Sequence, residues 1–551
     1  MKRKQSVLCC LIALLVCAFG LPALAQPKLD QAAVEQWRGD LRYLADELPK
    51  RHYNLFYTLS REQFEQSVKR LDERIPSLNP QQIFVEMLRI VAKVEDGHTL
   101  ITKRDMQGFT PRRYPLTLYL YRDGLFVQAA SPEYARAVGG RVVKIGNATA
   151  EQAIRAVRDI ISRDNEMNLK QRLPRWLIMA EALYGLGLIE DMENARFVVD
   201  QRGEQVAIDL KPISYETTVK WVDARDSATP APLWLKDPQK LYWFEYLADS
   251  RAVYVQYNAC ANKREESVAG FFKRVFAFVD ANTVDRFVLD IRMNHGGNSN
   301  LNLPIIHGLI RSDKINQPGK LFVIIGRGTF SAAVRLVGDL DRHTHAIFIG
   351  EPTGGKPNHF GGAVRSGDGM ESFMLPHSRL VVEYSNVWMQ RGQADDFRPW
   401  KAPHRAAELT SVDYRANNDP AMKLSLNYTP QEEVSDRMLE ILQANEPAKG
   451  MDAALKLYRE EKSDPASAFA DLSSDLDLVG RRLMSANRLN DALRIFTINV
   501  EDHPRSDLAY SGLGDLYRKL GNKELAIQSY LKAVELNPKN WGAIDKLKTL
   551  R

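Results

Sequence analysis

The stretch GRGTFSAAVRLVGDL, Gly326 to Leu340, holds one serine between a glycine-bearing turn and a helical pattern. KLFVIIG before it is an apolar run short enough for a buried strand. SAAVRLVGDL after it has helical spacing. A serine at such a junction has two readings. It can cap the helix, as Ser and Thr usually do in this position, and Thr329 would serve as well. Or it can be a nucleophile on a rigid edge, at the positive end of a helix dipole, where a developing oxyanion is favoured.

Two neighbouring segments bear on the choice. FVLDIRMNHGGNSN (287–300) is a strand pattern that ends in Gly296-Gly297, and paired glycines let backbone N–H groups approach a ligand closely. A serine beside a glycine-rich amide nest is the equipment of acyl transfer. GEPTGGKPNHFGG (350–362) imitates a phosphate loop. However, Pro357 stands where Ser or Thr should hold magnesium, and no amphipathic helix follows. That excludes a nucleotide site and leaves Lys356, 25 residues after Ser331 (356 − 331), as a possible base.

With EDGHT (95–99), these segments resemble the tail-specific, C-terminal-processing serine peptidases, which share a core with the tricorn protease. The resemblance spans about 27 to 428. It implies a helical N-domain, a PDZ-like domain and a crotonase-like α/β core. It places Ser331 as nucleophile. The oxyanion hole would be the N–H of Ala332 with that of Gly296 or Gly297. Lys356 matches the base of the Ser–Lys branch and His98 that of the tricorn branch; spacing favours the first and intrinsic chemistry the second, and the match in register and loop tips the expectation to Lys356. The chain departs from the Ser–Lys pattern at Val334, Arg335, Pro357 and Asn358, and Glu383 is the late acidic candidate of the tricorn branch.

Around this centre the 551 residues divide into several units. MKRKQSVLCCLIALLVCAFGLPALAQ has a basic start, a short apolar run and an A-x-A site, which predicts a signal peptide (1–25) cleaved after Ala25 and an exported, periplasmic or secreted chain. Residues 26–104 read as helices, with Val34, Trp37, Leu41, Leu44 and Leu48 on one face. Residues 105–215 alternate as a small mixed domain with a helical insertion. DSATPAPLWLKDPQ lies in a linker, 216–239. From 240 to 428, the strands RAVYVQYN, RFVLDI, KLFVIIG, HAIFIGE and RLVVEYS alternate with helices, which predicts an α/β core. From 429 to 551 the pattern is helical and repeats. Ala492, Phe496 and Pro504 match Ala526, Tyr530 and Pro538, 34 residues on, and Gly480 matches Gly514; this is the tetratricopeptide period.

Composition narrows the function. Removing Lys2, Arg3 and Lys4 lowers the net charge from +6 to +3 (6 − 3), no footprint for nucleic acid. Cleavage leaves only Cys260 of four cysteines, so no internal disulfide is expected. No HExxH motif or cysteine pair accompanies the histidines, so neither a metal nor another cofactor is expected. The expectation is a serine-type peptidase acting on a peptide or protein, with a protein partner on the repeats. The alternative is an inactive peptide- or ligand-binding protein on the same scaffold.

Overall fold

A computed structural model describes residues 29–102, 111–362, 370–390, 392–394, 396–430, 432–444 and 447–550. The predicted signal peptide lies outside them. Among the described residues no helix is long and apolar enough to cross a membrane.

The central sheet runs in the order Tyr242–Leu247, Ala252–Tyr257, Arg286–Asp290, Leu321–Ile325, Ile347–Gly350, Arg405–Ala406. The first pair is antiparallel and the rest are parallel. Its inner strands Ala252–Tyr257, Arg286–Asp290 and Leu321–Ile325 are buried on both faces, which is why they read as largely apolar runs. Leu321, Val323 and Ile325 enter one core with helices Val268–Ala281, Leu303–Arg311 and Ala332–His343. Phe322 and Ile324 enter another with Met422 of helix Pro420–Asn427. The period of two thus sorts one strand between two layers.

Three helices, Gln31–Arg51, Arg61–Arg74 and Pro80–Ala92, open the described chain. The second and third start with reciprocal caps, Ser60 with Gln63 and Asn79 with Gln82. They share one continuous apolar core with a second sheet, in which Leu116–Tyr121, Gly124–Ala130, Arg141–Ile145, Ala195–Gln201 and Glu204–Leu210 take part. The helical insertion of that region supplies Glu166–Trp176 and Ala180–Gly185.

Three expectations change. RLVVEYS is not a strand of the central sheet. Its Val381–Glu383 pairs antiparallel with Leu100–Thr102, just after DGHT, so that Leu100 faces Glu383. The apolar run announced burial but not the partner. The edge strand Tyr242–Leu247 was missed, because YWFEYL has no clean alternation. The Pro-rich segment expected as linker is docked: Trp234 is buried, its carbonyl accepts from Gln256 Nε2 at 2.9 Å, and Arg292 lies over its ring at 5.3 Å.

Among the described residues the C-terminal part has seven α-helices, from Val434–Ala444 to Trp541–Leu550. Gly480 lies against Phe496, and Gly514 against Tyr530, so the 34-residue period is a repeated small-on-aromatic contact. Arg405 of the central sheet anchors the array through Glu461 at 2.9 Å and Asp464 at 2.6 Å.

Candidate active site

Ser331 precedes helix Ala332–His343 with φ 55° and ψ −122°, and its side chain makes no capping bond. A non-glycine residue held there costs about 1–3 kcal/mol, which the surrounding packing must over-determine. Thr329 does not cap either: its hydroxyl donates to the Ile291 carbonyl at 2.9 Å and accepts from the Gly326 N–H at 3.0 Å. The capping reading therefore fails for both residues.

Gly296 accounts for part of the packing that holds Ser331. A Cβ there would stand 2.7 Å from Ser331 Cβ and 3.0 Å from the Ala332 nitrogen, so only glycine fits. The Gly296 N–H is donated to Asn294 Oδ1 at 2.9 Å. Among the described residues, no acceptor takes the N–H of Gly297 or of Ala332. Of the three proposed donors, these two are uncommitted, and Gly296 contributes close approach. His295, beside them, is exposed at the mouth of a cavity of about 1090 Å³ that also reaches Phe330, Arg172, Trp176 and Phe84.

His98 stacks on the ring of Phe330 at 4.4 Å between centroids. It is 7% exposed, and neither ring nitrogen has a hydrogen-bond partner. It also stacks with His359 at 5.6 Å. His359 Nδ1–H donates to the Lys356 carbonyl at 2.9 Å, and burial, followed by the charge of His98, pushes its pKa down to about 4.

Asp96 fixes the turn that carries His98. It accepts from the His98 N–H (2.9 Å), Thr99 Oγ1 (2.5 Å), Ser385 Oγ (2.6 Å) and His52 Nε2 (3.1 Å). Burial alone would raise its pKa. The hydrogen bonds from His52 and Ser385, with the His98 imidazole close by, outweigh that and hold it well below the ordinary carboxylate range. His98 Nδ1 stands 3.8 Å from Asp96 Oδ1, a close pair rather than a hydrogen bond.

A second acid, Asp164, accepts from the Gly97 N–H at 2.7 Å. A Cβ at Gly97 would press on Asp164 Oδ1 and Phe330 Cζ (both 2.9 Å) and on Asn168 Oδ1 (3.0 Å), which explains the glycine of DGHT. Arg172 braces the same turn, donating to the Gly97 and Ser162 carbonyls. Sequence reading singled out neither Asp164 nor Asn168, for they share no motif with His98.

Lys356 is partly buried in the loop after strand Ile347–Gly350. Its neighbour Gly355 packs within 3.4 Å of the Ser331 nitrogen, measured from an ideal Cβ. Among the described residues no ion pair or side-chain hydrogen bond engages the Lys356 ammonium. Asp290 and Arg292 form a largely buried ion pair, and Asp419 joins it.

Solved structures with this fold include mature CPAF bound to lactacystin, with a TM-score of 0.51 and 12% identity over 72% of this chain and 100% of that one. Mature CPAF alone gives 0.51 and 11% over 73% and 99%. The photosystem II D1 C-terminal processing protease is more distant, at 0.34 and 14% over 70% and 98%. The tetratricopeptide repeat family model matches residues 508–540. No curated relative matches this sequence. The chain is thus a mixed α/β protein with the CPAF fold, followed by helices of tetratricopeptide type.

Proposed function

We propose that this chain is an exported serine peptidase in which Ser331 attacks the peptide carbonyl and His98 is the general base. The observation that carries the reading is Ser331 itself, held at positive φ with no capping role beside two uncommitted N–H groups. His98 takes the Ser331 proton as the Oγ–C bond forms. The N–H groups of Ala332 and Gly297 receive the oxyanion, and His98 returns the proton to the leaving amine; water then hydrolyses the acyl-enzyme.

Support for His98 over Lys356 is physical. A lysine must be desolvated or crowded by cations to be neutral near pH 7, and Lys356 keeps part of its surface in water. An imidazole needs no such shift. His98 is buried, stacked against the rings of Phe330 and His359, and close to Asp96. The sheet region 105–215 acts in this reading as the PDZ-like domain, leading a peptide along the cavity toward Ser331, while the repeats hold a protein partner or substrate.

No hydrogen bond joins Ser331 Oγ to His98 or Lys356 among the described residues. That favours, as second reading, a non-catalytic peptide-binding protein on the same scaffold. Labelling the mature protein with a fluorophosphonate separates the two. The peptidase reading expects one label, on Ser331, absent from Ser331→Ala; a native protein that takes no label is the binding protein.

A further inference from the structure

We propose that the Asp96–His98 turn and the start of helix Glu166–Trp176 hold a divalent transition-metal ion of the zinc type, which switches the site off. Donor atoms of Asp96, His98 and Asp164 all lie within 4.8 Å of one another. The cluster is more than a group of acids, because its buried atoms are orphaned. Both nitrogens of His98, Asp164 Oδ2 and Asn168 Oδ1 have no partner, and their residues are only 3–7% exposed. Buried polar atoms are nearly always satisfied, so four orphans around one turn need an explanation. A peptidase mechanism uses His98 but leaves Asp164 Oδ2 and Asn168 Oδ1 without a task.

The donor set defines the ion. One imidazole with carboxylate and amide oxygens suits zinc better than magnesium or calcium, which take oxygen cages. Tetrahedral zinc holds its donors about 3.4 Å apart, given bonds of about 2.1 Å. Side-chain rotations of Asp164 and Asn168 would close the remaining gap, since neither free oxygen is tied elsewhere. The hydrogen bonds of Asp96 and the Gly97 N–H to Asp164 would orient the carboxylates from outside. An ion bound through His98 occupies the lone pair that would accept the Ser331 proton. Inhibition therefore rests on the proposed role of His98; binding does not.

The test uses the untagged Ser331→Ala chain, which reports binding without activity. Calorimetric titration with zinc should give one ion per chain. His98→Gln and Asp164→Asn, each in that background with unchanged circular dichroism, should weaken it at least tenfold. Asn168→Asp, which adds a carboxylate, should tighten it. Zinc binding that is absent, or equal in the parent and in all three variants, overturns the proposal. In the active chain, zinc should inhibit peptide cleavage reversibly, and chelation should restore it. If zinc binds as expected while His98→Gln cleaves at the parental rate, the metal site stands and the assignment of the base falls.

Discussion

Two loops meet where His98 stacks on the Phe330 ring, and they are built in opposite ways. On one side, four donors close on the Asp96 carboxylate, three of them on Oδ2 and one on Oδ1. On the other, Ser331 is bare, its backbone strained and its hydroxyl unengaged in any cap. Asp96 carries stability, and Ser331 draws on it. The contrast separates residues that hold a site together from the residue that acts, and substitutions can break it at either end.

The largest effect should come at Ser331. Ser331→Ala should lower kcat/KM at least ~10³-fold. Its melting temperature should barely move, because no cap is lost. Ser331→Gly should be equally inactive yet more stable, by about 1 kcal/mol, since glycine tolerates positive φ. A capping serine would instead lose about 1 kcal/mol on replacement by alanine. Thermal unfolding beside a peptide-hydrolysis assay decides between them.

Next come the two possible bases. His98→Ala should cost roughly 10²- to 10⁴-fold in kcat. Lys356→Ala should stay within about tenfold of the parent, because its carbonyl, not its ammonium, holds His359. The pH profile of kcat for both variants measures this. A dead Lys356→Ala beside an active His98→Ala would reverse the assignment.

How far the sequence announced this site depends on how local each signal is. Ser331, the Gly296-Gly297 pair, Lys356 and His98 sit in short motifs whose spacing is chemical. The 34-residue period of the repeats is likewise carried within the chain, where Phe496 and Tyr530 recur against Gly480 and Gly514. What the sequence hid is everything that crosses the chain. Asp164 reaches Gly97 over 67 residues, and Ser385 reaches Asp96 over 289. Glu383, read as a late acidic candidate, sits in the strand that pairs with Leu100. No local pattern encodes such meetings, because they depend on which sheet a strand joins. The misplaced RLVVEYS strand is the same failure: it brings Ser385 to Asp96 by leaving the central sheet.

A smaller effect is expected from Asp96→Asn. An amide cannot accept all the donors that close on the carboxylate, so stability should fall by about 3 kcal/mol. The pH dependence should change with it. Because the folded-state pKa of Asp96 is depressed, its contribution is present above the unfolded value of about 3.9 and is lost as pH falls through the lower folded value. Below about pH 4 the variant should therefore lose stability less steeply than the parent. Urea unfolding at a series of pH values measures both quantities.

The smallest expected effect is the sharpest probe of how Asp96 is satisfied. Ser385→Ala removes one hydroxyl that donates to the buried carboxylate at 2.6 Å, while the Ser385 N–H stays bonded to Thr99 Oγ1 at 3.2 Å. Losing one hydrogen bond to a charge should cost about 1.5 kcal/mol. The remaining donors, His52, Thr99 and the His98 N–H, keep Asp96 ionised near neutral pH, so His98 stays in place and kcat should change less than tenfold. With one stabilising hydrogen bond gone, however, the folded pKa of Asp96 should rise toward the ordinary value. Acid unfolding should then begin at a higher pH than in the parent, although activity at neutral pH is nearly unchanged. If Ser385→Ala instead loses activity as deeply as His98→Ala while keeping its acid stability, Ser385 acts on the reacting groups, and the division between a hydrogen-bonded anchor and a bare nucleophile does not hold.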